Sequence, residues 1–233
     1  MKNNKNRKYL SLVLGAVSVL ALSGCATFEN PFAPPKRQIQ DNALYSSNNP
    51  NGVINVDQNL EYLGMVPVSE WERYANNTGG SYQYRDSYIF ASKDDDNVID
   101  KSVTINLWTI GSGYWIPGFE KDGFVQIDKY IRGNQRFDTG VFHTTITRDD
   151  DVSMYLEDSN YLLPSCMVFK SYQKVFSPGR NAKNKMTISY GEPILCEKTI
   201  MFLPENKNTE RTQAFLKAFN KKADSSFQTV SFN

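Results

Sequence analysis

The sequence predicts an α+β fold that is mainly antiparallel β-sheet, with a short N-terminal helix and a C-terminal helix packed on the sheet. Two observations predict it. Runs in which apolar and polar residues alternate recur from about Leu60 to Leu203, the period of half-buried strands. Only one stretch, near residues 209–223, combines helical apolar spacing with a cap. Many strands set against one long helix indicate a sheet with the helix on one face.

Taken in order, the folded part begins with a strand from Leu60 to Val68. Ser69-Glu70-Trp71-Glu72 then fits a capping box, serine at the cap and glutamate three residues on, so a short helix is expected before Gly79-Gly80. Tyr84, Asp86, Tyr88 and Phe90 alternate with other residues and mark a second strand. In Val103 to Ile110, Val103, Ile105 and Leu107 point one way while Ser102, Thr104 and Asn106 point the other. A glycine-punctuated aromatic loop, Gly111 to Phe119, follows, and then a strand from Phe124 to Ile131. Gly140 to Thr147 and Val152 to Leu156 are expected as a hairpin turned at Arg148-Asp149-Asp150-Asp151.

Cys166 to Phe176 is a long β-rich run broken by Pro178-Gly179. Met186, Ile188 and Tyr190 alternate, and Ile194 to Leu203 is expected to continue the strand pattern until Pro204. The long helix is capped by Asn208 or Thr209, carries Glu210 in its first turn, and has Phe215, Ala218 and Phe219 as its apolar stripe, with Leu216 beside them. Lys221 and Lys222 fall near its end, where the helix dipole favours cations. The tail through Phe227, Val230 and Phe232 is expected as a short edge strand.

The first 25 residues have a different character. Lys2, Lys5, Arg7 and Lys8 precede an apolar run from Leu10 to Leu22, which is shorter than the ~20 residues that span a bilayer. Small residues and a cysteine follow, completing the parts of a secretory signal. Leu22-Ser23-Gly24-Cys25 resembles the lipobox of bacterial lipoprotein precursors. The resemblance implies diacylglycerol on the Cys25 thiol and cleavage before it. Residues 1–24 are then the signal peptide. Ala26, where an aspartate would signal inner-membrane retention, implies the outer membrane, with the domain facing the periplasm. Several acyl chains make a stable membrane anchor where one binds only marginally. From Cys25 to about Asn59, Pro31, Pro34, Pro35 and Pro50 with a run of asparagines indicate a flexible tether, leaving 60–233 as a single globular domain.

The whole chain has 26 basic and 25 acidic side chains among 233 residues, a balance that gives no argument for nucleic-acid binding. Acidic residues predominate up to Ser159 and basic ones after it. With no domain boundary near Asn160, the two sets are expected to mix in one sheet. Of three cysteines, Cys25 carries lipid. Cys166 and Cys196 remain in an exported chain and are expected to form a disulfide.

No catalytic set assembles from the sequence. His143 is the only histidine, which removes the two-histidine zinc protease motif, and no Gly-x-Ser-x-Gly turn presents a serine. A Cys166–His143 pair is possible chemistry, but the Pro164-Ser165-Cys166-Met167 context resembles neither the histidine-glycine-cysteine signature of the L,D-transpeptidases nor the cysteine-helix start of papain-like peptidases, and a disulfide consumes the thiol. Asp94-Asp95-Asp96 and Asp149-Asp150-Asp151 lack the ligand spacing of an EF-hand and suit turns instead. No metal and no cofactor are expected. Trp108, Tyr114, Trp115 and Phe119 are the ligand-binding candidates, because aromatic rings stack on sugars or anchor partners; the competing role is packing at one end of the sheet. Gly113-Tyr114-Trp115-Ile116-Pro117 and Ile188-Ser189-Tyr190-Gly191-Glu192 resemble segments of uncharacterised bacterial lipoprotein domains of unknown function, a resemblance that brings no activity. The expectation is a non-enzymatic envelope lipoprotein presenting its domain to a protein partner. The alternative is a glycan- or small-ligand-binding lipoprotein, and a third reading is a hydrolase of envelope polymers.

Overall fold

In the computed structural model, the described residues are 35–73, 79–119, 123–177 and 182–230. Cys25, the signal segment and the first part of the tether lie outside them. Among the described residues, eleven strands form two sheets in which every ladder is antiparallel. The smaller sheet contains β1 (Arg37–Gln40), β2 (Ala43–Ser46), β3 (Gly52–Val56) and, from the far end of the chain, β11 (Phe227–Val230), in that spatial order. The larger contains β4 (Glu61–Arg73), β5 (Gly80–Lys93), β6 (Ile99–Ile110), β7 (Gln126–Arg132), β8 (Gln135–Thr145), β9 (Cys166–Val175) and β10 (Asn184–Pro193). Its spatial order is β4-β5-β6-β10-β9-β8-β7.

The alternation in β6 sorts the two faces. Val103, Ile105 and Leu107 are buried with Met186, Ile188 and Tyr190 of β10, Val168 and Tyr172 of β9, and Phe137 and Val141 of β8. The smaller sheet closes on this face through Leu44, Ile54, Val56 and Phe227. The helix α2 (Glu210–Ser225) adds Leu216, Phe219 and Ala223 to the same cluster, its first turn capped by the Thr209 side chain accepting from Thr212 N. The helix expected at the C-terminus is therefore packed on the sheet.

Four expectations are corrected. Residues 35–59, expected as tether, form β1, β2 and β3. Asn42, Asn48, Asn49 and Pro50 occupy the turns, Asp41 and Asn42 taking the two positive φ values of a tight hairpin, while Leu44 and Ile54 are fully buried. The N-terminal helix expected after Ser69 is absent through Arg73, because β4 runs on and pairs Ser69 with Tyr84 and Trp71 with Tyr82. A cap signal is worth about 1 kcal/mol and yields to a long ladder. Residues 74–78, where that helix would continue, lie outside the described residues.

The segment 152–156, expected as a strand, is the helix α1 (Asp151–Asp158). Asp150 is its N-cap, accepting from Val152 N and Ser153 N. The apolar residues that decide the matter are Val152, Tyr155 and Leu156, at i, i+3 and i+4, which pack with Val66, Ile89, Ala91 and Ile99 on the second face of the large sheet. Beyond Pro193 the chain forms a 3-10 helix, Cys196–Phe202, where continued strand was expected.

Candidate functional site

Because side chains alternate along a strand, the second face of the large sheet carries the residues that β6, β10 and β9 do not send to the core. They are largely polar: Ser87, Asn106, Thr187, Gln173 and Asp138 follow one another across β5, β6, β10, β9 and β8. The helix α1 covers the β4 end of this face. The loop 111–119 and Phe124 cover parts of the other end.

Trp108 and Trp115 come together as expected of the aromatic loop, with ring centroids 5.9 Å apart and edge to face. Trp115 is held by two bonds to the chain before β10, its N–H donating to Ala182 O (2.8 Å) and its Nε1 to Lys183 O (3.1 Å). Lys185, opposite Trp108 in the ladder, places Nζ 3.5 Å from the Trp115 ring centroid and 4.7 Å from that of Trp108. Arg85 approaches Trp108 from the other side at 4.9 Å. Burial lowers the Lys185 pKa to about 8, with Arg85 acting in the same direction and Glu72 and Glu70 against it. These rings are occupied by the protein's own cations, so this cluster is packing that closes the end of the sheet. Tyr114, by contrast, is 54% exposed.

Phe119 belongs to a different assembly. Its ring lies 4.8 Å from Phe124, which continues through Phe142 to Phe169 at 5.5 and 5.4 Å. Gly140 makes this possible, since a Cβ there would sit 2.4 Å from the Phe124 ring. Gly191 does the same for Phe169, at 2.5 Å. Sequence reading grouped Phe119 with the tryptophans by proximity along the chain, whereas the loop crosses from one side of the sheet face to the other.

Where the loop crosses, it walls a cleft of about 840 Å³ over β7, β8 and β9. Pro117, Gly118 and Phe119 form the wall, and Gln173, 8% exposed, fastens it by donating Nε2 to Gly118 O at 2.9 Å. Lys129, Asp138 and Gln173 form one cross-strand row on the floor, with Arg136 and Val175 beside it. Asp128 also borders the cleft, but it pairs with Thr139 while Asp138 pairs with Lys129, so the pleat sends the two carboxylates to opposite faces. They do not form the facing pair that glycoside hydrolysis uses.

Trp71, expected in the short helix, instead joins two tyrosines of β5 in an exposed aromatic row. Trp71, Tyr82 and Tyr84 are 56%, 52% and 51% exposed. Trp71 lies edge-on to Tyr82 at 5.0 Å, and Tyr82 stacks on Tyr84 at 6.3 Å. The period-two spacing of Tyr82 and Tyr84 was available in the sequence, but Trp71 joins them only through the β4–β5 register.

Cys166 and Cys196 are joined as a disulfide, with Cα atoms 5.3 Å apart. Cys166 is buried on β9 and Cys196 is exposed at the start of the 3-10 helix. His143 is opposite Val168 and stacks on Phe202 at 5.2 Å, while the cross-strand neighbour of Cys166 is Thr145. Burial lowers the His143 pKa. The His143–Cys166 pair is thus not formed. Of the aspartate clusters, Asp150 caps α1, and Asp94 accepts from the backbone N–H groups of Asp96 and Val98 in a tight turn.

Compared with known proteins, the chain matches no family model, no curated protein and no solved structure.

Proposed function

We propose that the chain is an exported envelope lipoprotein, anchored through Cys25 to the outer membrane on its periplasmic side, that acts without catalysis by presenting its β domain to an envelope protein partner. The signal-like start and the lipobox resemblance support the anchor. The Cys166–Cys196 bridge is compatible with an exported protein. Among the described residues no helix is long and apolar enough to cross a membrane.

The observation that carries the docking role is the exposed ladder Trp71–Tyr82–Tyr84. Large, rigid, amphipathic rings lose little conformational freedom on binding, and Trp and Tyr are enriched at the energetic centres of protein interfaces. A photo-crosslinking residue at Tyr82 should capture a protein in intact envelopes. That protein, purified, should bind the wild type and bind Trp71→Ala and Tyr84→Ala at least tenfold more weakly, at unchanged melting temperature. Equal binding by both variants would sink the docking role. The anchor is tested separately: an acyl-chain reporter should label the wild type and not Cys25→Ser.

The alternative, a glycan- or small-ligand-binding lipoprotein, is favoured by the cleft walled by Pro117–Phe119.

A further inference from the structure

We infer that the cleft over β7, β8 and β9 is a binding site for a carboxylated saccharide. The inference rests on the ligand-binding alternative and gives it a ligand class; it is independent of the lipid anchor and of the Trp71–Tyr82–Tyr84 ladder.

The cleft is a built feature. Gln173, more than nine-tenths buried, spends its amide N–H on Gly118 O and so sets the position of the wall. Phe119 is backed by Phe124, whose own position depends on the missing side chain of Gly140. The volume of about 840 Å³ falls in the range of ligand pockets, roughly 300–1,000 Å³, and accommodates two sugar rings.

Its chemistry is mixed in a specific way. Lys129, Arg136 and Asp138 converge on the cleft, and among the described residues none of these three side chains makes a hydrogen bond or an ion pair. With Lys174 and Asp128 also bordering it, the cleft carries three cations against two carboxylates, a net positive charge that favours a ligand with negative charge, and the planar fork of Arg136 matches a carboxylate. Asp138 is acceptor-only when ionised, and the Gln173 carbonyl oxygen is a further acceptor; both call for ligand hydroxyls or amides as donors. Phe119 and Pro117 offer an apolar wall for the carbon face of a ring. One carboxylate, several hydroxyls and one apolar ring face together describe an acidic sugar. A docked helix would instead call for an apolar groove.

The test is calorimetric titration of the purified full-length protein in detergent. The probes are digalacturonic acid, a disaccharide containing a lactyl-ether amino sugar, the methyl ester of digalacturonic acid, cellobiose and the dipeptide alanyl-glutamate. At least one of the two acidic disaccharides should bind, and cellobiose and the ester of digalacturonic acid should bind at least tenfold more weakly. Arg136→Gln should weaken the acidic ligand by about ten- to a hundredfold, the effect of losing a charge-assisted hydrogen bond. Because Arg136 is exposed, the melting temperature should not move. Asp138→Asn should weaken it less, since an amide keeps one acceptor. Binding of cellobiose or the dipeptide in preference to the acidic sugars would overturn the ligand class and leave a binding cleft standing. Absence of binding by all five probes, or an Arg136→Gln variant that binds as the wild type does, would overturn the site itself.

Discussion

Lys170 Nζ lies 2.7 Å from Asp224 Oδ1, joining the middle of β9 to the last turn of α2 where the lysine is almost fully buried. An aspartate at a helix C-terminus opposes the helix dipole, so this carboxylate is held by its partners. Besides Lys170, the Tyr172 hydroxyl donates to the same oxygen at 2.5 Å. Burial, and then the adjacent carboxylate, hold the Tyr172 phenol well above its ordinary range. Arg132 of β7 donates to the carbonyl oxygens of Asp224 and Phe227, extending the junction to the β11 strand of the smaller sheet.

Removing one partner should therefore cost more than removing both. Asp224→Ala leaves a buried ammonium and a phenol unpaired and is expected to destabilise by about 3 kcal/mol, the low end for a buried pair because Asp224 is itself partly exposed. Adding Lys170→Met to that variant should recover part of the loss. Urea denaturation of the two single variants and the double variant measures the coupling; strictly additive effects would show that the pair contributes nothing.

The bridge between Cys166 and Cys196 joins residues 30 apart in sequence. Constraining an unfolded loop of that length is worth ~3–4 kcal/mol by chain entropy. It pins the 3-10 helix to β9, where no strand pairing would hold it. Reductant is expected to lower the melting temperature, and mass spectrometry of non-reduced peptides should recover the two cysteines linked. Protein isolated from oxidising conditions with both thiols freely alkylated would contradict this.

Lys185 makes stability depend on alkaline pH. Its folded pKa of about 8 lies below the ordinary 10.5. Between those values the unfolded chain holds the proton and the folded one releases it, so stability rises as pH goes from about 8 to about 10.5. Below about 8 the folded protein bears the full cost of burying the charge, an amount the two indole faces partly offset. Lys185→Met should remove this rise. Denaturant unfolding at pH 7, 8, 9 and 10 compares the two proteins, with the tyrosines as a common background. Identical pH slopes would mean that the tryptophans, and not protonation, dominate the lysine's energetics.

Much of the fold was legible in the sequence because its signal is local. Val103, Ile105 and Leu107 declare their strand by period two, and Met186, Ile188 and Tyr190 do the same. The final helix was legible from Thr209, Glu210 and the spacing of Phe215 and Phe219, although the stripe it buries runs through Leu216, Phe219 and Ala223 and leaves Ala218 exposed. Phe119 and Trp115, four residues apart, were legible as aromatic residues but not as members of separate clusters, since that depends on which strand the loop crosses.

By itself, then, the sequence determined the mainly antiparallel β character, the C-terminal helix and the cysteine pairing, each written in residue spacing or in the count of available partners. Only the tertiary structure decided that residues 37–56 form strands, because their hydrogen-bonding sheet is completed by β11, about 170 residues downstream. It also decided that Ser69–Arg73 extends a strand, since the ladder to β5 outweighs a local cap. The cleft depended on it most. Lys129, Asp138 and Gln173 are distant in the chain and become one row only when three strands fix their register, and a one-residue slip would turn each of them to the opposite face.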